Sequence, residues 1–374
     1  MSRFLLAHFT MLILAANLFA QSLAPSAPGN SPIASKSSAV SSPSPSVTPT
    51  ATDLINSLGA ADLQAAIALL KSNFTNPDAI TETELNRAAV QGLMTRLPNG
   101  VKLLPNRESA PTEAPTPLYG ENLDGHIGYL RLGSLNNANL QAMDKSLSNF
   151  TGKKVDALVV DLRASSGTND FAVAAEFAKR FCPKGKPLFT LRKPAPRQDR
   201  VFDSDRDPAF HGLIMVLADG ETAGGAEAVA AALRVYDKAL LVGQPSAGRA
   251  AEYSDLALPG GKILRVAVAE MVSPEGHSLF LDGVKPDLPV EMSVADKLQV
   301  FQLSGEKGMG PFVYQAGRPH MNEAALLAGT NPELEAAEVA QQRRRGAPEK
   351  PPAHDPVLQR ALDVVTSLEI YQKR

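Results

Sequence analysis

Three glycine-bearing turns hold the residue types from which a reactive or binding site could be built: DLRASSGTND (161–170), ADGETAGGAEAVAAAL (218–233) and VGQPSAGR (242–249). A glycine-rich turn that opens a helix leaves backbone N–H groups unpaired at the positive end of the helix dipole, where an anion or a polarised carbonyl oxygen can sit. The same turn can equally serve only to let a helix pack closely on a sheet. Hydroxyls stand in these turns at Ser165, Ser166, Thr222 and Ser246. A hydroxyl becomes a nucleophile only beside a base, and no base declares itself. The six histidines (His8, His126, His211, His277, His320, His354) lack ligand-like spacing, and His277 in SPEGHS reads as a surface residue. Asp161 reads as a strand-end carboxylate paired with Arg163 or a backbone amide. A single cysteine, Cys182, makes neither an internal disulfide nor a thiolate cage, so no metal and no cofactor is implied.

The turns must be held by the elements around them. Short apolar runs (HIGYLRLGSL, DALVVDLR, GLIMVLAD, ALLVG) alternate with helical segments (ANLQAMDKSLSNF, DFAVAAEFAKRF, GGAEAVAAALRVY) between Gly125 and Val290. That alternation is the texture of buried strands covered by helices, an α/β layered sheet. YSDLALPGGKILRVAVAEMVSP predicts a hairpin about Pro259-Gly260-Gly261. Ahead of the core, Leu54, Ile55, Leu58, Leu63, Ile67 and Leu70 recur at helical spacing from Thr52. A second helix opens at Thr81, with Glu84 completing a capping box, and ends before Pro98 and Gly100. Residues 105–117, with four prolines, read as a loop, and the chain after Met292 returns to helix in ELEAAEVAQQRRR and PVLQRALDVVTSLEIYQKR.

At 374 residues, 44% apolar and 20% charged, the chain is of ordinary globular composition. A formal charge of −2 leaves no basic surplus for phosphates, so nucleic acid is not an expected partner. Arg3 followed by an apolar run to Phe19 has the layout of a signal peptide over residues 1–20. Residues 21–50, dominated by Ser, Pro, Ala and Thr, read as a disordered linker. The chain is thus expected to be exported, periplasmic or extracellular, and tethered to a membrane only if the N-terminal segment is left uncleaved. The sequons at Asn73 and Asn149 and the run Arg343-Arg344-Arg345 carry bland surface readings. The division read from the sequence is 1–20, 21–50, an N-terminal helical segment and loop over 51–118, a core over 119–292, and a C-terminal helical extension over 293–374.

In order and distance, DLRASSGTND, ADGETAGGAEAVAAAL, LLVGQPSAGRAAEYSDLALPGG and SPEGHSLFLDGVKPDLPV (273–290) resemble the C-terminal-processing (tail-specific) serine peptidases, whose core is a ClpP/crotonase-like layered fold. The resemblance covers roughly Gly125 to Val290. The helix at 81–97 and DPVLQRALDVV look like the family's outer helices, while the short stretch from Leu97 to Gly125 has no room for the family's PDZ domain. The family's chemistry is a serine at a helix start, deprotonated by a lysine amine. The resemblance puts Gly224 at the serine position, with Thr222 two residues before it and Glu227 three after, and it puts Arg249 at the lysine position. Glycine carries no nucleophile, and a guanidinium stays protonated and cannot act as a base. It also implies oxyanion-type N–H groups at Gly167 and Gly225. Thr222 and Ser246 remain as alternative nucleophiles.

The expectation is therefore an exported, tail-specific-protease-like protein without an intact dyad, which binds extended peptide or an envelope protein partner. Two alternatives stand beside it: an active serine-type endopeptidase with a non-standard nucleophile, and a small-molecule or lipid carrier, by analogy with interphotoreceptor retinoid-binding proteins on the same fold. Oligomeric state is not encoded in any feature of the sequence.

Overall fold

The computed structural model describes residues 50–105, 114–165, 170–194, 197–236, 239–313 and 353–372. The expected signal peptide, the linker up to residue 49, the helix at 333–345 and the loop residues Ser166, Gly167 and Thr168 lie outside the described residues. The chain divides into two compact units, at Pro77 and Asp78.

The first unit contains helices α1 (Ala51–Ser57) and α2 (Ala60–Asn73), which the helical spacing from Thr52 had joined into one. The break falls at Leu58 and Gly59, both extended, where Thr50 and Asp53 form a capping box on α1 and Asp62 accepts from the Gly59 N–H on α2. Neither a new helix start nor its glycine cap disturbs the apolar spacing, which is why the periodicity ran through it. No side chain of α2 is buried.

The second unit opens with α3 (Glu82–Arg96), capped by Thr81, and β1 (Val101–Leu104). The alternation read from the sequence then appears as β2 (Tyr119–Leu123), β3 (Ile127–Arg131), α4 (Asn137–Gly152), β4 (Ala157–Asp161) and α5 (Phe171–Ala178). It continues through β5 (Pro187–Pro194), β6 (Arg197–Asp203), β7 (Leu213–Ala218), α6 (Gly225–Tyr236) and β8 (Leu240–Gly243). One sheet runs β11-β8-β7-β4-β3-β2, parallel throughout except for β2, with β11 at Leu288–Pro289. Its strands β3 and β4 are buried at every residue, as a parallel sheet covered on both faces must be. The second sheet is antiparallel: β9 (Ala251–Ala257) and β10 (Ile263–Val272) form the expected hairpin, and β10 also pairs with β1 and β5. A β5–β6 hairpin, in a stretch for which the sequence offered no reading, completes it.

Side-chain alternation along the parallel strands sorts the core into two halves. Leu158 and Val160 face α4, α5, α6 and the antiparallel sheet, whereas Ala157 and Val159 face Val300 and Leu358. The latter belong to α7 (Val294–Lys307) and α9 (Pro356–Gln372), with the short α8 (Gly310–Val313) between them in chain order. The C-terminal helices therefore close the second face of the sheet.

Candidate functional site

The carboxyl ends of β4, β7 and β8 lie side by side in the parallel sheet and launch the turns at 161–165, 218–224 and 243–249. This is the edge at which parallel α/β sheets assemble ligand sites. α6 starts at Gly225, and Gly224 before it holds φ +60°, a left-handed value that favours glycine. Thr222 is fully buried. Its hydroxyl donates to the Leu162 carbonyl (3.0 Å) and accepts the Asp219 N–H (3.1 Å), so it fastens one turn to the next.

At the centre sits Glu227, with no solvent exposure. Its Oε2 accepts the backbone N–H of Gly224 (2.8 Å) and of Arg249 (3.0 Å), and its Oε1 accepts the Gly248 N–H (2.7 Å) and the Ser246 hydroxyl (2.6 Å). The Gly224 and Arg249 backbones thus converge on a single carboxylate oxygen. Burial pushes the Glu227 carboxyl above its ordinary range, and the four hydrogen bonds pull against that without cancelling it. The sequence marked Glu227 only by its distance from Gly224; a glutamate in the first turn of a helix, reaching back to the N–H before it, is a capping signal that could have singled it out.

Ser246 accepts the Val284 N–H on its Oγ (2.7 Å) while donating to Glu227. A base thus stands beside Ser246 where the sequence showed none. Arg249 pairs by its backbone with Phe280, and its side chain is exposed. Asn99, just past α3, holds this turn from the other side through the Ala247 and Gly248 carbonyls. Gly248 has φ +64°, and a Cβ there would lie 2.3 Å from the Leu281 carbonyl oxygen, which no rotamer relieves. Gly225 is buried at the helix start, and its N–H meets no acceptor among the described residues. Ser165 is 1% exposed, its Oγ has no hydrogen-bond partner among the described residues, and its carbonyl accepts the Ala223 N–H. His277 lies at the surface beside Glu275, away from this cluster's hydrogen bonds. Among the described residues no group of three or more His, Cys, Asp or Glu is gathered as metal ligands.

Two buried charge clusters brace the turns. Asp161 binds Arg163 through both side chains, accepts the Tyr129 hydroxyl (2.7 Å), and Arg163 reaches on to Asp355 (2.7 and 3.0 Å). Burial alone would raise the Asp161 carboxyl, but the Arg163 charge and the hydrogen bonds hold it below the usual carboxylate range. Lys297 of α7, 2% exposed, donates to the Arg163 carbonyl and to the carboxylates of Asp219 and Glu221. The sequence showed none of these contacts beyond the Asp161–Arg163 pair.

Between α5, β6 and β9 lies an open cleft of about 550 Å3 lined by Asp170, Phe171, Ala172, Arg200, Phe202 and Glu252. β9 pairs with β10 alone among the described strands.

Residues 126–290 match Peptidase family S41. The chain is 30% identical over 177 residues to carboxyl-terminal-processing peptidase 2, chloroplastic, of Arabidopsis thaliana, covering 47% of this chain and 34% of that one. It is 24% identical to the carboxy-terminal processing protease CtpA of Bacillus subtilis (63% and 47% covered) and 30% identical to the carboxy-terminal-processing protease of Bartonella bacilliformis (49% and 43%). The match therefore spans less than half the length of these relatives. A solved photosystem II D1 C-terminal processing protease is 21% identical with a TM-score of 0.41, over 56% of this chain and 53% of that one. No helix among the described residues is long and apolar enough to cross a membrane. The layered α/β core built around Glu227, residues 126–290, thus matches the Peptidase family S41 model and is similar in sequence to C-terminal-processing proteases.

Proposed function

We propose that this is an exported, C-terminal-processing-protease-like protein that has lost hydrolysis through a Ser/Lys dyad and works by binding extended peptide or a protein partner of the cell envelope. One observation carries the reading: the Gly224 and Arg249 N–H groups donate to the same Glu227 oxygen, so the two turns of a dyad are held face to face while neither position offers a nucleophile or a base. β9, which begins two residues beyond Arg249 and pairs with β10 alone among the described strands, gives an extended peptide a strand to join.

A second reading has its own support. Ser246 lies 2.6 Å from Glu227, a hydroxyl on a carboxylate whose proton affinity is raised, which is a nucleophile-and-base pairing. Against it, the same oxygen already takes the Val284 N–H, which ties it into the loop. Incubation of the purified protein with fluorogenic unstructured peptides and with a fluorophosphonate probe separates the two. No turnover above a protein-free blank and no labelling are expected. Turnover or labelling abolished by Ser246→Ala would establish the serine hydrolase instead.

A further inference from the structure

We propose that the cleft between α5, β6 and β9 binds an aromatic side chain, stacked on the Arg200 guanidinium. The proposal rests on the peptide-binding reading, in which that ring is carried by a peptide laid along β9, the strand to which Glu252 of the cleft belongs. None of the Glu227 hydrogen bonds involves a residue of the cleft, so the two sites can be altered separately.

The molecule shows the finished form of such a site elsewhere. Arg131 is 8% exposed, and its guanidinium lies between two rings, 4.9 Å from the centre of Tyr119 and 4.1 Å from that of Phe301. A guanidinium is flat and attracts an aromatic ring to either face. Arg200 has one half of that arrangement. Its guanidinium lies 5.3 Å from the centre of the Phe202 ring, which is itself packed on Phe189 with 4.7 Å between centres, so the floor is fixed. One edge is fixed as well, because Nη2 donates to Glu252 Oε1 (3.2 Å). Yet the Arg200 side chain is 57% exposed, and among the described residues Phe202 alone stacks on it.

The rest of the cleft suits a ring better than a charge. Its volume of about 550 Å3 is that of a small-ligand pocket, and Phe171 and Ala172 give it apolar wall. Both of its carboxylates are engaged: Asp170 caps α5 by accepting the Val173 N–H (3.1 Å), and Glu252 holds Arg200. Neither calls for a cationic ligand, and a lysine entering the cleft would meet Arg200 as a like charge. A leucine would gain the apolar contact alone. A ring gains that contact together with the attraction of its face to the cation.

The chain contains no tryptophan, so tryptophan emission in a mixture belongs to the ligand alone. The test titrates the full chain into three labelled, unstructured decapeptides that differ at one central position, Trp, Leu or Lys, read by fluorescence polarisation, and into N-acetyltryptophanamide, read by its own emission. The Trp peptide is expected to bind tighter than the Leu peptide by about threefold or more, the scale of a cation–π contact, and both indoles should emit at shorter wavelength as they leave water. Arg200→Gln should abolish the preference with the melting temperature unchanged, since an exposed ion pair contributes little to stability. Equal affinity for the Trp and Leu peptides overturns the aromatic site and leaves peptide binding standing. An emission shift of N-acetyltryptophanamide, lost in Arg200→Gln, with no peptide bound would keep the aromatic site and overturn the peptide reading. Binding of none of the four overturns both. Tightest binding of the Lys peptide, or a Trp preference that survives Arg200→Gln, overturns the assignment to Arg200.

Discussion

At Gly224 the backbone itself decides what a side chain would cost. With φ at +60°, any L-residue there takes a left-handed conformation disfavoured by about 1–2 kcal/mol, so Gly224→Ser should lower stability by that amount in urea unfolding. Combined with Arg249→Lys it restores both missing groups, and either change alone restores only one. Residue 249 is exposed, so a lysine there is not desolvated and keeps a pKa near its free value of about 10.4. Hydrolysis by the double variant is therefore expected to be weak at neutral pH and to rise about tenfold per pH unit up to about pH 10. A profile flat from pH 6 would show that some other group is the base. Glu227 makes the opposite kind of prediction. Its folded pKa lies above the free value of about 4.3, so its contribution to stability is complete below that pH and is lost as pH rises through the raised value. Glu227→Gln lacks that titration, so the stability advantage of the native chain over the variant should shrink as the pH rises above about 4. Glu227→Ala strands four donors and should cost on the order of 3 kcal/mol or more at any pH.

Among the elements, the strands that were legible were those with one strong signal. β3, β4 and β7 are apolar at nearly every residue, and the β9–β10 hairpin carries its glycine turn. β5 and β6 escaped because PLFTLRKP and RQDRVFD mix prolines and charges, which hides the alternation of the hairpin they form with each other. The site was legible as turns, through Gly224, Gly225 and Arg249, but its central side chain was not: Glu227 looks like any helix-surface glutamate until four donors converge on it. Lys297 and Asp355 were invisible for the same reason, since charged residues read as solvated unless a partner is known. Asp355 caps α9 through the Val357 and Leu358 N–H groups while holding Arg163. Removing one partner of a buried charge cluster leaves the others unpaired, so Asp355→Ala should cost about 3–5 kcal/mol. Its α9 amides should exchange hydrogen faster than those of β4; equal protection of both would mean the cluster does not hold the helix.

For the whole molecule, the family match and the folded unit end in different places. The match stops at 290, yet Val300, Leu358, Ala361, Leu362 and Val365 complete one face of the sheet. Cutting the chain after residue 292 would expose them at a cost on the order of 10 kcal/mol, comparable with the whole stability of a domain, and such a fragment should not fold. Removing residues 1–77 should be nearly neutral, because α2 buries no side chain; a loss of more than about 5 °C in melting temperature, the effect of about 1 kcal/mol, would contradict this. The placement of α9 also sets a timetable. Synthesis runs from the N-terminus, and the central sheet stays open on one side until Val365 has left the ribosome. Throughout elongation the nascent polypeptide must remain unfolded or in the care of a holding factor, the condition in which a chain can still be threaded through a translocation pore. Ribosome-stalled chains ending before Pro356 should be cut readily by added protease, and chains extended well past Gln372 by a linker should resist it.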